Sequence, residues 1–273
     1  MPYERLEYLA MSGSDYIWIW RGLVPLGGST LLFGEPKKGK SLFALSLAEA
    51  VADPNASTHL GYPVDQHGRV LYIQLDMPRA LWQSYVAKTR PIEGLWFIDR
   101  EDPELPREFD IRHIDHRDWM ARQVAAVSPL LVIADTLRAL HRGDENDSTT
   151  MQAVYTALLD AIGGASLILV AHDNKPQQND NRSSVARLRG SSYVAGAVDA
   201  VLHLVNRGVR VAARSDVEWV EAERDAGGMF HNVREALTAL PPDTPQAEKD
   251  RIIAERFNMS ERTARRRRGQ LLG

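Results

Sequence analysis

At 273 residues the chain is long enough for one large domain with a sizeable core and a small appendage, and two equal domains would be a tight fit. With 44% hydrophobic residues, 25% charged residues and a net charge of -3, the protein as a whole is no polyanion binder, so any affinity for nucleic acid has to be local. The lack of cysteine excludes disulfides, thiolate zinc sites and cysteine nucleophiles. With no signal-like start and no apolar run of bilayer length, it implies a soluble, cytoplasmic protein without a membrane partner.

The first patterned stretch, DYIWIW (15–20), sets Tyr16, Trp18 and Trp20 on one side of an extended segment, placed to contact a nucleotide base or, as the stronger expectation, to pack in the core or between subunits. GSTLLF (28–33) is a continuous apolar run, the mark of a strand buried on both faces, and SLFALSLAEAVA (41–52) carries helical spacing. Between them lies GEPKKGKS. Gly34, four residues, then Gly39-Lys40-Ser41 at a strand-to-helix junction surround a phosphate with backbone N–H groups and a helix dipole. Gly34 and Gly39 permit the tight path, and Glu35, Pro36, Lys37, Lys38 and Leu42 complete the loop and its entry into the helix. Lys40 would reach the β- and γ-phosphates of ATP or a similar triphosphate, and Ser41 would ligate magnesium, Mg2+.

Further apolar runs follow at RVLYIQL (69–75), LWFID (95–99), PLLVIAD (129–135), ASLILVA (165–171) and DAVLHLV (199–205), alternating with helical segments at 79–89, 117–127 and 150–162. That alternation predicts an α/β fold, a mostly parallel sheet with helices on both faces. The carboxyl ends of such strands form the ligand-binding edge. Three carry polar groups: Asp76, Asp135 and His172. Asp135 suits the carboxylate that holds the metal, Asp76 the group that orients or deprotonates the attacking water, and His172 a contact to the γ-phosphate. His113 and His116 in IRHIDHRD have metal-site spacing but no third ligand nearby, which argues for solvated side chains. The acidic GDEND (143–147) either assists the metal or caps a helix starting near Ser148.

Beyond residue 205, GVRVAARS (208–215) and VEWVEAE (217–223) alternate apolar with polar residues and read as a two-stranded extension. The expected organisation is an ATPase-type domain over 1–235, a proline-rich linker over 236–246 and a basic tail over 247–273. In the tail, residues 245–257 form an amphipathic helix with Ile252, Ile253 and Phe257 inward. Asn258-Met259 turns, Ser260 caps a second helix, and Ala264 with Leu271 faces the first. This resembles a helix-turn-helix, whose Arg262 and Arg265 to Arg268 suit a major groove and its phosphates.

The order GEPKKGKS, VLYIQLD, LVIADTLRALHRGDEND, LILVAHDNK and RLRGSSYVAGAVDAVL is similar to the RecA/DnaB-type P-loop ATPases, most closely the RepA-like hexameric replicative helicases of plasmids, phages and mobile elements, over about residues 22 to 228. The resemblance implies a RecA-like core, and ATP hydrolysis coupled to unwinding of, or translocation on, single- and double-stranded DNA by a homo-oligomeric ring, a hexamer. Lys40, Asp76, Asp135 and His172 take the family's catalytic positions, Ser41 and Asp135 its metal positions. Asp76 stands where relatives usually carry glutamate, a side chain one methylene longer. In relatives the loop after His172 lines the central channel, which makes Lys175, Arg182, Arg187 and Arg189 DNA contacts here; Arg262, Arg265 and Arg266 of the tail join them. Ring relatives complete the site with an arginine from the next subunit, and Arg224 is expected in that role, with Arg207 and Arg210 as substitutes. The competing expectation is an ATP-switched DNA-binding regulator or helicase loader that does not unwind DNA.

Overall fold

The computed structural model describes residues 16–172, 193–206, 208–213, 215–225 and 228–272. In chain order the described strands are β1 (Trp18–Trp20), β2 (Val24–Pro25), β3 (Ser29–Gly34), β4 (Thr58–His59), β5 (Tyr62–Pro63), β6 (Val70–Gln74), β7 (Leu95–Asp99), β8 (Leu131–Asp135), β9 (Ser166–His172), β10 (Ala200–Val205), β11 (Gly208–Ala213), β12 (Trp219–Glu221), β13 (Glu223–Arg224) and β14 (Phe230–His231). The helices are α1 (Lys40–Ala52), α2 (Arg79–Val86), α3 (Ile114–Val127), α4 (Ser148–Ile162), α5 (Tyr193–Ala197), α6 (Val233–Thr238), α7 (Gln246–Arg256) and α8 (Glu261–Leu272).

Eight strands form one sheet in the order β12-β11-β10-β3-β9-β8-β6-β7. From β10 to β7 every pairing is parallel, and β11 and β12 add an antiparallel edge. The apolar runs are continuous because both faces are covered. Leu31, Phe33, Leu71, Ile73, Val132 and Leu167 face one core with α3 and α4, while Leu32, Tyr72, Ile133, Ile168 and Val170 face the other, built around α1. That helix is apolar almost all round and accordingly buried along its length. Trp20 lies in the same layer, fully buried against Phe43 and His59, whereas Tyr16 is exposed, so DYIWIW serves packing.

LWFID departs from the expectation of a doubly buried strand. It is β7, the sheet edge, with Trp96 52% and Phe97 37% exposed. Asp147 caps α4, accepting from the N–H groups of Thr149 and Thr150, which gives GDEND a structural role. His116 is packed rather than solvated: it stacks on Phe109 and its Nδ1 accepts from the Asp110 N–H at 3.0 Å.

A third, small core holds Val233, Ala236, Leu237, Ile253, Ala254, Phe257 and Ala264. It includes α6, so Ala236 and Leu237 are buried with the tail helices rather than free in a linker; Ile252 is only half-buried. Six tail and hairpin charges close this unit. Asp250, 2% exposed, accepts from Arg268 at 2.8 Å and Arg265 at 3.4 Å. Arg267 reaches out of the tail to Glu221 at 3.3 Å and to Glu223.

Candidate functional site

Register explains why distant sequence segments meet. Gly34, ending β3, pairs with His172, ending β9, and Gln74 of β6 pairs with Asp135 of β8. The carboxyl ends of four parallel strands therefore converge on one edge, with the 34–41 loop arching above it. There a cavity of 610 Å³ is lined by Pro36, Lys37, Gly39, Lys40, Ser41, Leu42, Asp76, Asp135, Thr136, His172 and Arg224, with Met77, Leu81 and Tyr85 as an apolar wall. The five residues expected to be catalytic thus line a single cavity.

Lys40 opens α1 and is 5% exposed. Its ammonium donates to the carbonyl oxygens of Gly34 at 2.9 Å and Glu35 at 3.0 Å, and to Nδ1 of His172 at 3.1 Å. An ammonium group only donates, so Nδ1 accepts and the neutral His172 ring carries its proton on Nε2. Gly39 stands at φ +88, where L side chains are strained, and a Cβ there would lie 1.9 Å from Nη2 of Arg224. Gly34 is required for another reason: a Cβ would meet the Leu204 carbonyl at 2.6 Å. Lys38 turns aside to Asn206 Oδ1 at 2.8 Å and to Glu35 at 3.4 Å.

Asp135 is 1% exposed. Its Oδ2 accepts from the Tyr72 hydroxyl and from Gln74 Nε2, each at 2.8 Å; Oδ1 is buried with no hydrogen-bond partner among the described residues. Burial pushes the carboxyl up, the Ser41 and Tyr72 hydroxyls pull it back, the Asp76 charge raises it and Lys40 lowers it. Burial, with the Asp135 charge, raises the Tyr72 phenol well above its ordinary value, keeping it a donor. Tyr72 and Gln74 carry no sequence signal of this role. They sit inside an apolar run, and only the pairing of β6 with β8 brings them to the carboxylate. Asp76 is exposed at the cavity rim, its backbone N–H held by Gln74 Oε1 at 2.8 Å.

Arg224, expected to serve a neighbouring subunit, lies in its own chain's cavity, against Gly39 and over the Phe230 ring at 5.2 Å. Burial lowers its pKa from the ordinary arginine value, with Tyr85 opposing. Of the substitutes, Arg210 is exposed on β11 and does not line the cavity, and Arg207 lies outside the described residues. So do Lys175, Arg182, Arg187 and Arg189. Arg262, Arg265 and Arg266 are exposed on α8, although Arg265 also reaches Asp250.

A parallel sheet ending in a Gly-Lys-Ser loop, with a buried aspartate on a nearby strand end, defines the class of P-loop nucleotide-binding proteins with a RecA-like core. The chain belongs to the AAA domain family, whose match spans residues 12–178. Among solved structures it is similar to a DnaB-like replicative helicase described with its interactions with primase: 14% identity and TM-score 0.57, covering 83% of this chain and 64% of that one. It therefore spans less than two thirds of that helicase. A KaiC-like protein of the hyperthermophilic archaeon Pyrococcus horikoshii OT3 matches at 15% identity and TM-score 0.51, covering 78% of this chain and 93% of that one. An ATPase domain matches at 15% identity and TM-score 0.56, covering 83% and 95%. At these identities the likeness is one of fold: a RecA/DnaB-like P-loop ATPase domain. No curated protein matches the chain. Among the described residues no helix is long and apolar enough to cross a membrane.

Proposed function

We propose that the protein is an ATP-dependent DNA helicase or translocase of the RepA/DnaB-like type, a ring of identical subunits acting in replication of a plasmid, phage or mobile element. The observation that carries this reading is the hydrogen bond between Lys40 and His172. An arriving triphosphate would offer β- and γ-oxygens to Lys40 in place of the two loop carbonyls and Nδ1, leaving His172 to contact the γ-phosphate. Cleavage reverses the exchange. Because His172 ends β9, each change of partner is delivered to the residues that follow, 173–190, where Lys175, Arg182, Arg187 and Arg189 would hold a DNA backbone.

The donor set fits a hard divalent cation: a buried carboxylate with one oxygen unpartnered, beside a serine hydroxyl. Ser41 and Asp135 would hold magnesium, whose charge would offset the negative charge that builds up on the phosphates. Asp76 would orient the attacking water from the rim. Its reach is one methylene short of glutamate, so slow basal turnover is expected unless a neighbouring group compensates. Arg224 would meet the phosphates bound by its own chain, and Arg262, Arg265 and Arg266 would bring the tail to double-stranded DNA. The short, exposed Asp76 also favours a second reading, an ATP-switched regulator or loader that does not unwind.

Strand displacement, with ATP turnover measured with and without single-stranded DNA, separates the two. Stimulation with displacement is expected; neither effect would defeat the motor and leave the switch. Lys40→Ala abolishes turnover, and persistence of turnover would mean the site is misassigned.

A further inference from the structure

A second cavity, of 550 Å³, shares the Asp76 side chain with the nucleotide cavity. Arg100, Arg107, Arg138 and Arg142 line it, against the two carboxylates of Asp76 and Glu108. Other arginines of the chain are paired with acids: Arg79 with Asp99, Arg112 with Asp110, Arg268 with Asp250. None of these four forms an ion pair with a described carboxylate. Arg138 donates to the Gly143 carbonyl at 2.9 Å and Arg100 to that of Asp76 at 3.4 Å, so both guanidinium groups are held at the rim with donors remaining.

The floor supplies an independent sign of a missing acceptor. His141 is 2% exposed and lines the same cavity. Its Nδ1 accepts from the Gly143 N–H at 3.1 Å, which puts the ring proton on Nε2. That Nε2–H is buried and has no partner among the described residues. A buried donor left without a partner is costly, and a small turn of the ring toward the cavity would let an oxygen bound there satisfy it. Arginine forks around a neutral imidazole donor match the oxygens of a phosphate group, and the excess of cations over carboxylates selects an anion.

We propose that the cleft between the 100–109 segment and residues 138–142 is a second phosphate-binding site, separate from the P-loop, taking a phosphodiester of a nucleic-acid strand or free inorganic phosphate. The site does not depend on the motor reading, since a switch protein would use it equally.

The test uses the full chain, with Arg107→Gln/Arg142→Gln and Arg107→Lys/Arg142→Lys as variants. Two probes are applied: a fluorescein-labelled oligodeoxythymidylate followed by anisotropy across a salt series, and inorganic phosphate followed by the His141 imidazole resonance, assigned by its loss in His141→Gln. Loss of two contacts to a single strand lowers the slope of log K against log salt by about 1.4 in the glutamine variant. The lysine variant keeps the slope, and affinity for a nonhydrolysable ATP analogue stays within about twofold in both. A His141 shift with the oligonucleotide and a reduced slope assigns the site to a strand. A shift with millimolar phosphate alone assigns it to the free ion. An unchanged slope together with an unmoved His141 resonance for both probes overturns the proposal, whatever the displacement assay reports.

Discussion

Tyr72→Phe isolates the support of the buried carboxylate. The substitution keeps the ring, so contacts with Trp82 and Phe97, at centroid distances of 4.8 and 6.3 Å, survive, and only the hydroxyl goes. Asp135 Oδ2 is then left with Gln74 alone, and the carboxyl, already raised by burial, loses one of the donors holding it down. A hydrogen bond to a charged acceptor contributes about 1.5–3 kcal/mol, which corresponds to roughly 10- to 150-fold in an equilibrium. Loss of a partner that orients a metal-ligating carboxylate falls in the same range, about 10- to 100-fold in metal affinity. The assay is a magnesium titration of ATP turnover. The midpoint is expected to move up by about 10- to 100-fold, while binding of the nucleotide without metal holds within about threefold. A variant that unfolds cooperatively, binds nucleotide and shows an unmoved magnesium midpoint would refute the assignment of Asp135 to the metal and of Tyr72 to its support.

Three further outcomes are expected. Arg224→Ala acts within its own subunit: mixed with Lys40→Ala chains it should recover no turnover, whereas recovered turnover on mixing would put the arginine in the neighbour's site. Asp250→Ala leaves Arg268 and Arg265 without their carboxylate; because both arginines keep access to water, the cost is that of lost charged hydrogen bonds, about 1.5 kcal/mol, visible as tail unfolding ahead of the sheet domain in hydrogen exchange. Stability should fall on acidification below pH 6.5. Burial holds His59 down to about 3 and His141 to about 4, so between these values and 6.5 the unfolded chain binds protons that the folded chain does not. With both histidines contributing, the slope approaches about 2.7 kcal/mol per pH unit near pH 5, partly opposed by Asp135, whose raised carboxyl favours the folded state as acid is added. Urea unfolding at pH 7 and pH 5 reads it; equal stability would mean these rings are protonated in the folded protein.

What the sequence disclosed was local chemistry. The Gly-Lys-Ser loop and the polar ends of three apolar runs are contiguous in the chain, and a parallel sheet has only one edge to which such ends can go. What it withheld depends on neighbours that sequence does not order. LWFID looks like a central strand because an apolar run says nothing of whether a further strand lies beside it. Tyr72 and Gln74 acquire their role from a register with Asp135, a residue some sixty positions away. The run of tail arginines shows a charge excess, yet which of them face solvent is decided by Asp250, Glu221 and Glu223, acids scattered across a helix and a hairpin. Likewise the four arginines of the second cleft lie in two segments with nothing to pair them in the sequence.

Arg267 ties two regions that a flexible connector would otherwise leave independent. Its partners Glu221 and Glu223 immediately precede Arg224, which leans on the phosphate loop. Through this fastening, a displacement of the hairpin toward or away from a bound nucleotide would either carry the C-terminal helices along or part the ion pairs. A shift of the hairpin on nucleotide binding would therefore be felt by the C-terminal helices, and by reciprocity a load on the tail would alter how tightly the nucleotide is held.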